Sequence, residues 1–156
     1  MGKNHLRVLQ SFDSVKNVVV YDSAPVNITD NRKVENVESL DELMLSPLDY
    51  AVIALPTIYH GEVSIALAEK SIPTLLEKPV ATSLRQAIAI EDAFTKTGTI
   101  CKVGHIERFN PALSLLKEKI SQGLVGDLLQ ISTIRTGPFP NRISDVGVVR
   151  DLASHD

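Results

Sequence analysis

Tyr50-Ala-Val-Ile-Ala-Leu-Pro56, the stretch from Tyr59 to Lys70, and then Thr74-Leu-Leu-Glu-Lys-Pro79 form the segment on which the fold turns. The first run is apolar throughout and closed by a proline, which marks a strand buried on both faces. Val63, Ile65, Ala66, Leu67 and Ala68 make the middle stretch an apolar helix. Thr74–Leu76 reads as a second short strand. Strand, helix and strand within about thirty residues is a βαβ unit, and such a crossover joins parallel strands.

The same alternation extends outward. Asn17-Val-Val-Val-Tyr-Asp22 is a β-branched run ending in an acid, hence another buried strand. Lys3 to Phe12 before it reads as a helix with Leu6 and Leu9 on one face. Residues 24–37 are polar and read as a loop with at most a short strand. Ser39-Leu-Asp-Glu42 fits a capping box, opening a short helix that stops before Pro47. Downstream, Ser83 caps a helix running to about Lys96 and ended by Gly98. Ile100 to Val103 is a strand, and Asn110-Pro111 caps a further helix ending near Gly123. Leu128 to Thr136 alternates and reads as the first strand of something new. The expected class is therefore α/β, a parallel sheet with flanking helices over residues 1–123, with residues 124–156 beginning a second α/β domain.

Both ends are expected to be cut short. The chain opens on a helix with no strand before it and closes on Ser154-His-Asp156 with neither cap nor tail. A missing first strand would sit in the middle of the sheet, between two flanking groups of strands, and Asn17–Asp22 and Tyr50–Leu55 are expected as inner members.

Composition narrows the function. Apolar residues make up 44 % and charged residues 22 % of the 156, the balance of a globular chain. A net charge of −3, with no basic run, gives nucleic-acid binding no support. One cysteine, Cys101, excludes an internal disulfide and a thiolate-rich metal site, and its apolar surroundings read as packing. No stretch approaches the ~20 apolar residues of a membrane span. Met1-Gly-Lys-Asn-His5 lacks the apolar core of a signal peptide, so a cytoplasmic location is expected.

In an open parallel sheet, ligands bind beyond the carboxyl ends of the strands. Four strands bring polar groups there: Asp22; Pro56-Thr57 with His60; Glu77-Lys78-Pro79; and Gly104-His105 with Glu107-Arg108. Each alone is an ordinary turn. Their convergence is the signal. Asp22, about twenty residues past Gly2, is placed to accept from ribose hydroxyls, or is a solvated loop acid. Its carboxylate would repel a 2′-phosphate, favouring NAD over NADP. Gly2, immediately before a helix, suits close helix–strand packing. Lys78, held by Pro79, is placed to polarise a hydroxyl or ketone, although a surface Glu-Lys pair is also common. Asp151 and His155, four apart, share a helical face. They form an oriented proton acceptor or an exposed pair; a metal site has no second ligand pair to support it.

Together these residues resemble the glucose–fructose oxidoreductase / inositol dehydrogenase / MocA family. The resemblance rests on Glu77-Lys78-Pro79 followed by Asp151-x-x-x-His155. It is supported by Met1-Gly-Lys-Asn-His5, Ala54-Leu-Pro-Thr57 with His60, Gly104-His-Ile-Glu-Arg-Phe-Asn-Pro111 and Gly147-x-x-x-Asp151. It covers the whole chain. The Gly104–Pro111 run and the Gly137-Pro-Phe-Pro-Asn-Arg142 loop are similar to the branch that oxidises nucleotide-linked amino sugars, such as UDP-N-acetylglucosamine 3-dehydrogenases.

The resemblance implies a Rossmann domain and a C-terminal α/β lid domain, and hydride transfer between NAD and a sugar or nucleotide-sugar carbon. It implies Lys78 and His155 as the catalytic pair, with Asp151 supporting the histidine. Gly2, Asp22, Pro56, Thr57, His60, Glu77 and Lys78 would line the cofactor, and Arg108 and Arg142 would stand near the substrate. A homo-oligomer is expected of the full-length protein. The family's Gly-x-Gly-x-x-Gly fingerprint keeps only its last glycine here, Gly2. That departure leaves two further readings: a non-catalytic product that retains motifs without activity, and a sensing module on the same scaffold.

Overall fold

A computed structural model describes residues 1–24 and 33–134. Its elements, in order, are α1 (Gly2–Gln10), β1 (Val18–Val20), β2 (Val34–Asn36), α2 (Leu40–Leu45), β3 (Ala51–Ile53), α3 (His60–Glu69), β4 (Thr74–Leu76), α4 (Leu84–Thr97), β5 (Cys101–Val103) and α5 (Pro111–Ser121). Short 3₁₀ turns at Thr57–Tyr59 and Ile106–Phe109 precede α3 and α5.

Local chemistry sets most boundaries. The Ser39 hydroxyl accepts from the Glu42 N–H (3.1 Å), and Glu42 returns a bond to the Glu38 N–H (2.8 Å), one residue earlier than a strict capping box. Ser83 accepts from the Gln86 N–H at the start of α4 (3.3 Å), and Asn110 from the Ala112 N–H at the start of α5 (3.0 Å). Gly98 ends α4 in the left-handed region, φ 68°, which glycine adopts without a Cβ penalty.

All pairings are parallel. β3, β4 and β5 form a sheet in which Ile53 pairs with Leu76 and Leu76 with Val103. β1 and β2 form a separate pair, Val18 opposite Val34. Ile53, Val63, Leu67, Ala68, Ile72, Leu76, Ile90 and Phe94 make one buried cluster, in which α3 and α4 pack on each other and on the larger sheet.

Two expectations are corrected. Asn17–Asp22 and Tyr50–Leu55 do contain parallel strands, but among the described residues neither is an inner one. β1 pairs only with β2 and β3 only with β4, so their free edges have no strand between them. A cavity of about 760 Å³, lined by Val18 to Asp22, Tyr50 to Leu55 and α1, takes that place. Over the described part of Leu128–Thr136 there is no strand. Paired with no strand among the described residues, its apolar residues stand in solvent, Leu129 93 % and Ile134 91 % exposed. Between residues 24 and 37, the short strand allowed for in the sequence is β2.

Leu76 lies at the centre of the larger sheet with no exposure. Leu76→Ala should destabilise the chain by about 2–5 kcal/mol, as large-to-small core changes do, read by urea unfolding. Cys101 packs half-buried against the same core, and burial raises its thiol above the ordinary value. Because the thiolate is the reactive form, Cys101 should react more slowly with a disulfide reagent at pH 8 in the folded chain than in the denatured one.

Candidate active site

The parallel register carries the polar segments to one place. Ile53, Leu76 and Val103 end their strands side by side. Beyond them the Glu77 N–H donates to the Ile53 carbonyl (3.0 Å) and the Gly104 N–H to the Leu76 carbonyl (2.8 Å). Thr57, Lys78 and Arg108 therefore all follow the same edge of the larger sheet. Asp22 follows β1. It lines the cavity shared with Gly2, His5, Ala54 and Leu55.

Glu77 is the hinge of this edge. It is 6 % exposed, with its carboxylate turned into the protein. Oε1 meets Nε2 of His5 at 2.6 Å, and Oε2 accepts from the Lys78 N–H at 3.3 Å. The carboxylate lies beneath Gly104, where a Cβ would come within 3.3 Å of Oε2. A carboxylate out of water is tolerated because these donors replace its hydration. The bond to His5 spans 72 residues and fastens the first turns of α1 to the end of β4.

His60 is buried, 1 % exposed. Its Nδ1 lies 3.0 Å from the Pro79 carbonyl and its Nε2 2.9 Å from the Leu55 carbonyl. It ties the turn after β3 to the turn after β4, so its ring shapes the edge from within. Thr57 is buried and Pro56 exposed at the start of the 3₁₀ turn into α3. Lys78 is half-buried, and the Lys78–Pro79 peptide is cis. Arg108 is exposed in the turn before α5. Asp22 is exposed, and its Oδ1 accepts from the Ala24 N–H at 2.9 Å in a local turn. Arg142, Asp151 and His155 lie outside the described residues.

Sequence reasoning passed over His5 and Gly104 as site residues. The spacing Gly2-x-x-His5 and a glycine directly after a strand were the available signals. Neither indicates a partner 72 residues away. Gly2 has space: its nearest neighbour to an added Cβ is the Ala54 Cβ at 3.9 Å, so packing against β3 does not by itself demand glycine.

The edge suits a phosphate-bearing cofactor. The first N–H groups of α1 have no partner within the helix, and its first turn carries no acid. Asp22, just beyond the end of β1, lines the same cavity. Among the described residues no cluster of three His, Cys, Asp or Glu could hold a metal ion, and no helix is long and apolar enough to cross a membrane.

Residues 1–105 match the model of an oxidoreductase family with an NAD-binding Rossmann fold. The chain belongs to the Gfo/Idh/MocA family. Its fold is the NAD-binding Rossmann fold of that family, and NAD is the family's cofactor. Sequence relatives include a scyllo-inositol 2-dehydrogenase (NAD(+)) of Bacillus subtilis (strain 168), 37 % identical over 51 % of this chain and 23 % of that protein. A 2,7-anhydro-N-acetylneuraminate hydratase of Escherichia coli (strain K12) is 30 % identical over 87 % of this chain and 37 % of its own. A UDP-N-acetylglucosamine 3-dehydrogenase of Acidithiobacillus ferrooxidans is 28 % identical over 74 % and 36 %. In structure, the WlbA dehydrogenase of Bordetella pertussis, solved with NADH and UDP-GlcNAcA, superposes with a TM-score of 0.68 at 24 % identity. That match covers 80 % of this chain and 38 % of WlbA. The chain thus spans under two fifths of the length of each of these proteins.

The clasp makes its own test. His5→Ala leaves the buried Glu77 carboxylate with one donor fewer and should cost about 1–3 kcal/mol, the usual range for a buried group left unsatisfied. Gly104→Ala, crowding the same oxygens, should also destabilise. Chemical denaturation of the three proteins side by side measures both losses.

Proposed function

We propose that this chain carries the cofactor half of a dehydrogenase that moves hydride between NAD and a sugar or nucleotide-sugar carbon. The single observation behind it is the placement of Lys78. It follows the doubly paired strand β4 at the edge where the Rossmann fold receives its dinucleotide, next to the clasped Glu77. The names of the inositol and UDP-N-acetylglucosamine dehydrogenase relatives support the substrate class, and the Gly104–Pro111 run supports the nucleotide-sugar branch. We take residues 1–123 as the cofactor domain and 124–156 as the start of the substrate domain.

When bound, NAD supplies the hydride acceptor. The N-terminal turn of α1, beginning at Gly2, would face the pyrophosphate, and Asp22 would accept from the ribose hydroxyls, favouring NAD over NADP. Pro56 and Thr57 would border the nicotinamide end. His60 and Glu77 hold the two turns that carry these groups. Lys78 would donate a hydrogen bond to the reacting substrate oxygen. Its charge binds that oxygen more strongly as negative charge develops, which is how a donor lowers a barrier rather than merely binding substrate. His155 would take the hydroxyl proton, with Asp151 holding its ring. Arg108 and Arg142 would meet the substrate beyond.

In a polypeptide of the relatives' length that contains this segment, Lys78→Ala should lower kcat far more than it weakens NAD binding. His155→Ala should cost roughly 10²–10⁴-fold, the range of a general base, and Asp151→Asn less. Steady-state NADH production with myo-inositol and with UDP-N-acetylglucosamine measures all three. Near-normal turnover of both alanine variants would overturn the assignment of roles.

A further inference from the structure

The backbone around Lys78 is fastened on both sides. The Lys78 N–H donates to Oε2 of Glu77 at 3.3 Å. The carbonyl of the next residue, Pro79, lies 3.0 Å from Nδ1 of the buried His60. These two bonds bracket the point at which the lysine side chain leaves the main chain. A lysine stem has many rotamers, so the reach of its ammonium group depends on the direction set at that point.

Glu77 can hold the Lys78 N–H only while its carboxylate keeps one orientation. The last torsion of a glutamate is broad and roughly two-fold, so the residue itself does not choose that orientation. Its neighbours do. Nε2 of His5 meets Oε1 at 2.6 Å, and Gly104 leaves room for the other oxygen, since a Cβ there would stand 3.3 Å from Oε2. His5 thus engages one carboxylate oxygen and leaves the second for Lys78. Because Glu77 is buried, water is a poor substitute for the imidazole once it is removed.

We propose that His5 is a positioning residue for hydride transfer, which orients Lys78 through the Glu77 carboxylate. The inference rests on the role given to Lys78 above and adds a residue 72 positions away whose imidazole acts on Glu77 and not on the substrate. It also links the helix that faces the cofactor edge to the lysine that faces the substrate oxygen. Removing His5 lets the carboxylate turn, releases the Lys78 N–H and widens the range of directions open to the ammonium group. A displacement of about 1 Å in a catalytic group can cost on the order of a hundredfold in rate.

The first test is amide exchange followed by NMR on the 156-residue chain. His5→Ala should speed exchange at Lys78 by about tenfold or more, while the flanking Glu77 and Gly104 amides change by less than about threefold, because they are bonded to the Ile53 and Leu76 carbonyls. His5→Gln keeps an N–H donor at the reach of Nε2 and should bring Lys78 back to within about threefold of the parent. His5→Asn, whose donor stops short, should behave like His5→Ala and serves in its place if the alanine variant does not fold. No acceleration at Lys78, or equal acceleration at all three amides, would overturn the proposal.

The second test is turnover in a polypeptide of the relatives' length, with myo-inositol and with UDP-N-acetylglucosamine. His5→Ala should lower kcat by about ten- to a hundredfold with the Kd for NAD within about threefold of the parent, and His5→Gln should recover most of the loss. In a Glu77→Gln background, His5→Ala should cost less than about twofold more, because it acts through that carboxylate. Losses that multiply in the double variant overturn the proposal. So does a normal kcat for His5→Ala beside a crippled Lys78→Ala. Normal turnover of Lys78→Ala itself is a different failure: it removes the role of Lys78, and this inference falls with it even if the exchange pattern is as expected.

Discussion

The pairing of β4 on both sides is the constraint on which the rest of the structure depends. A strand hydrogen-bonded to β3 and β5 has no freedom of register, because a slip of one residue would turn Leu76 out of the core. The residues that follow are then placed by the ladder rather than by their own preferences. Glu77 and Gly104 end up adjacent because Leu76 pairs with Val103. The chemistry of the edge is thus inherited from the packing of an apolar side chain behind it.

The polar contacts are arranged around that fixed point. Glu77 is turned inward, where an uncompensated carboxylate would be costly. His5 and the Lys78 N–H supply the compensation. One bond thereby serves stability and position together, since the helix whose N-terminus faces the cofactor edge is held by the residue preceding Lys78. Gly104 contributes by what it lacks: a side chain there would crowd the Glu77 oxygens. His60 repeats the arrangement one turn away, spanning two carbonyls of neighbouring turns.

The two sheets behave differently. The three-stranded sheet has the α3–α4 layer and the buried cluster behind it. The β1–β2 pair has three residues per strand, none of them fully buried. Two strands alone are marginal in water. α1, which lines the cavity between the two sheets, is itself tied to Glu77 through His5.

Much of this was legible in the sequence. The helices of residues 84–97 and 111–121 announced themselves through Ser83, Gly98, Asn110 and Pro111, because caps are local chemistry. The strands were legible as apolar runs, and parallel order followed from the alternation with helices. The convergence of Thr57, Lys78 and Arg108 followed in turn, since every such residue comes after a strand's carboxyl end. Tertiary structure alone decided the rest. That Leu128 onward gains no strand partner in the described residues and that His5 meets Glu77 depend on which segments lie side by side in space. Periodicity and capping act over a few residues, whereas a strand edge or a buried carboxylate is satisfied by whatever the folded chain brings to it from far away.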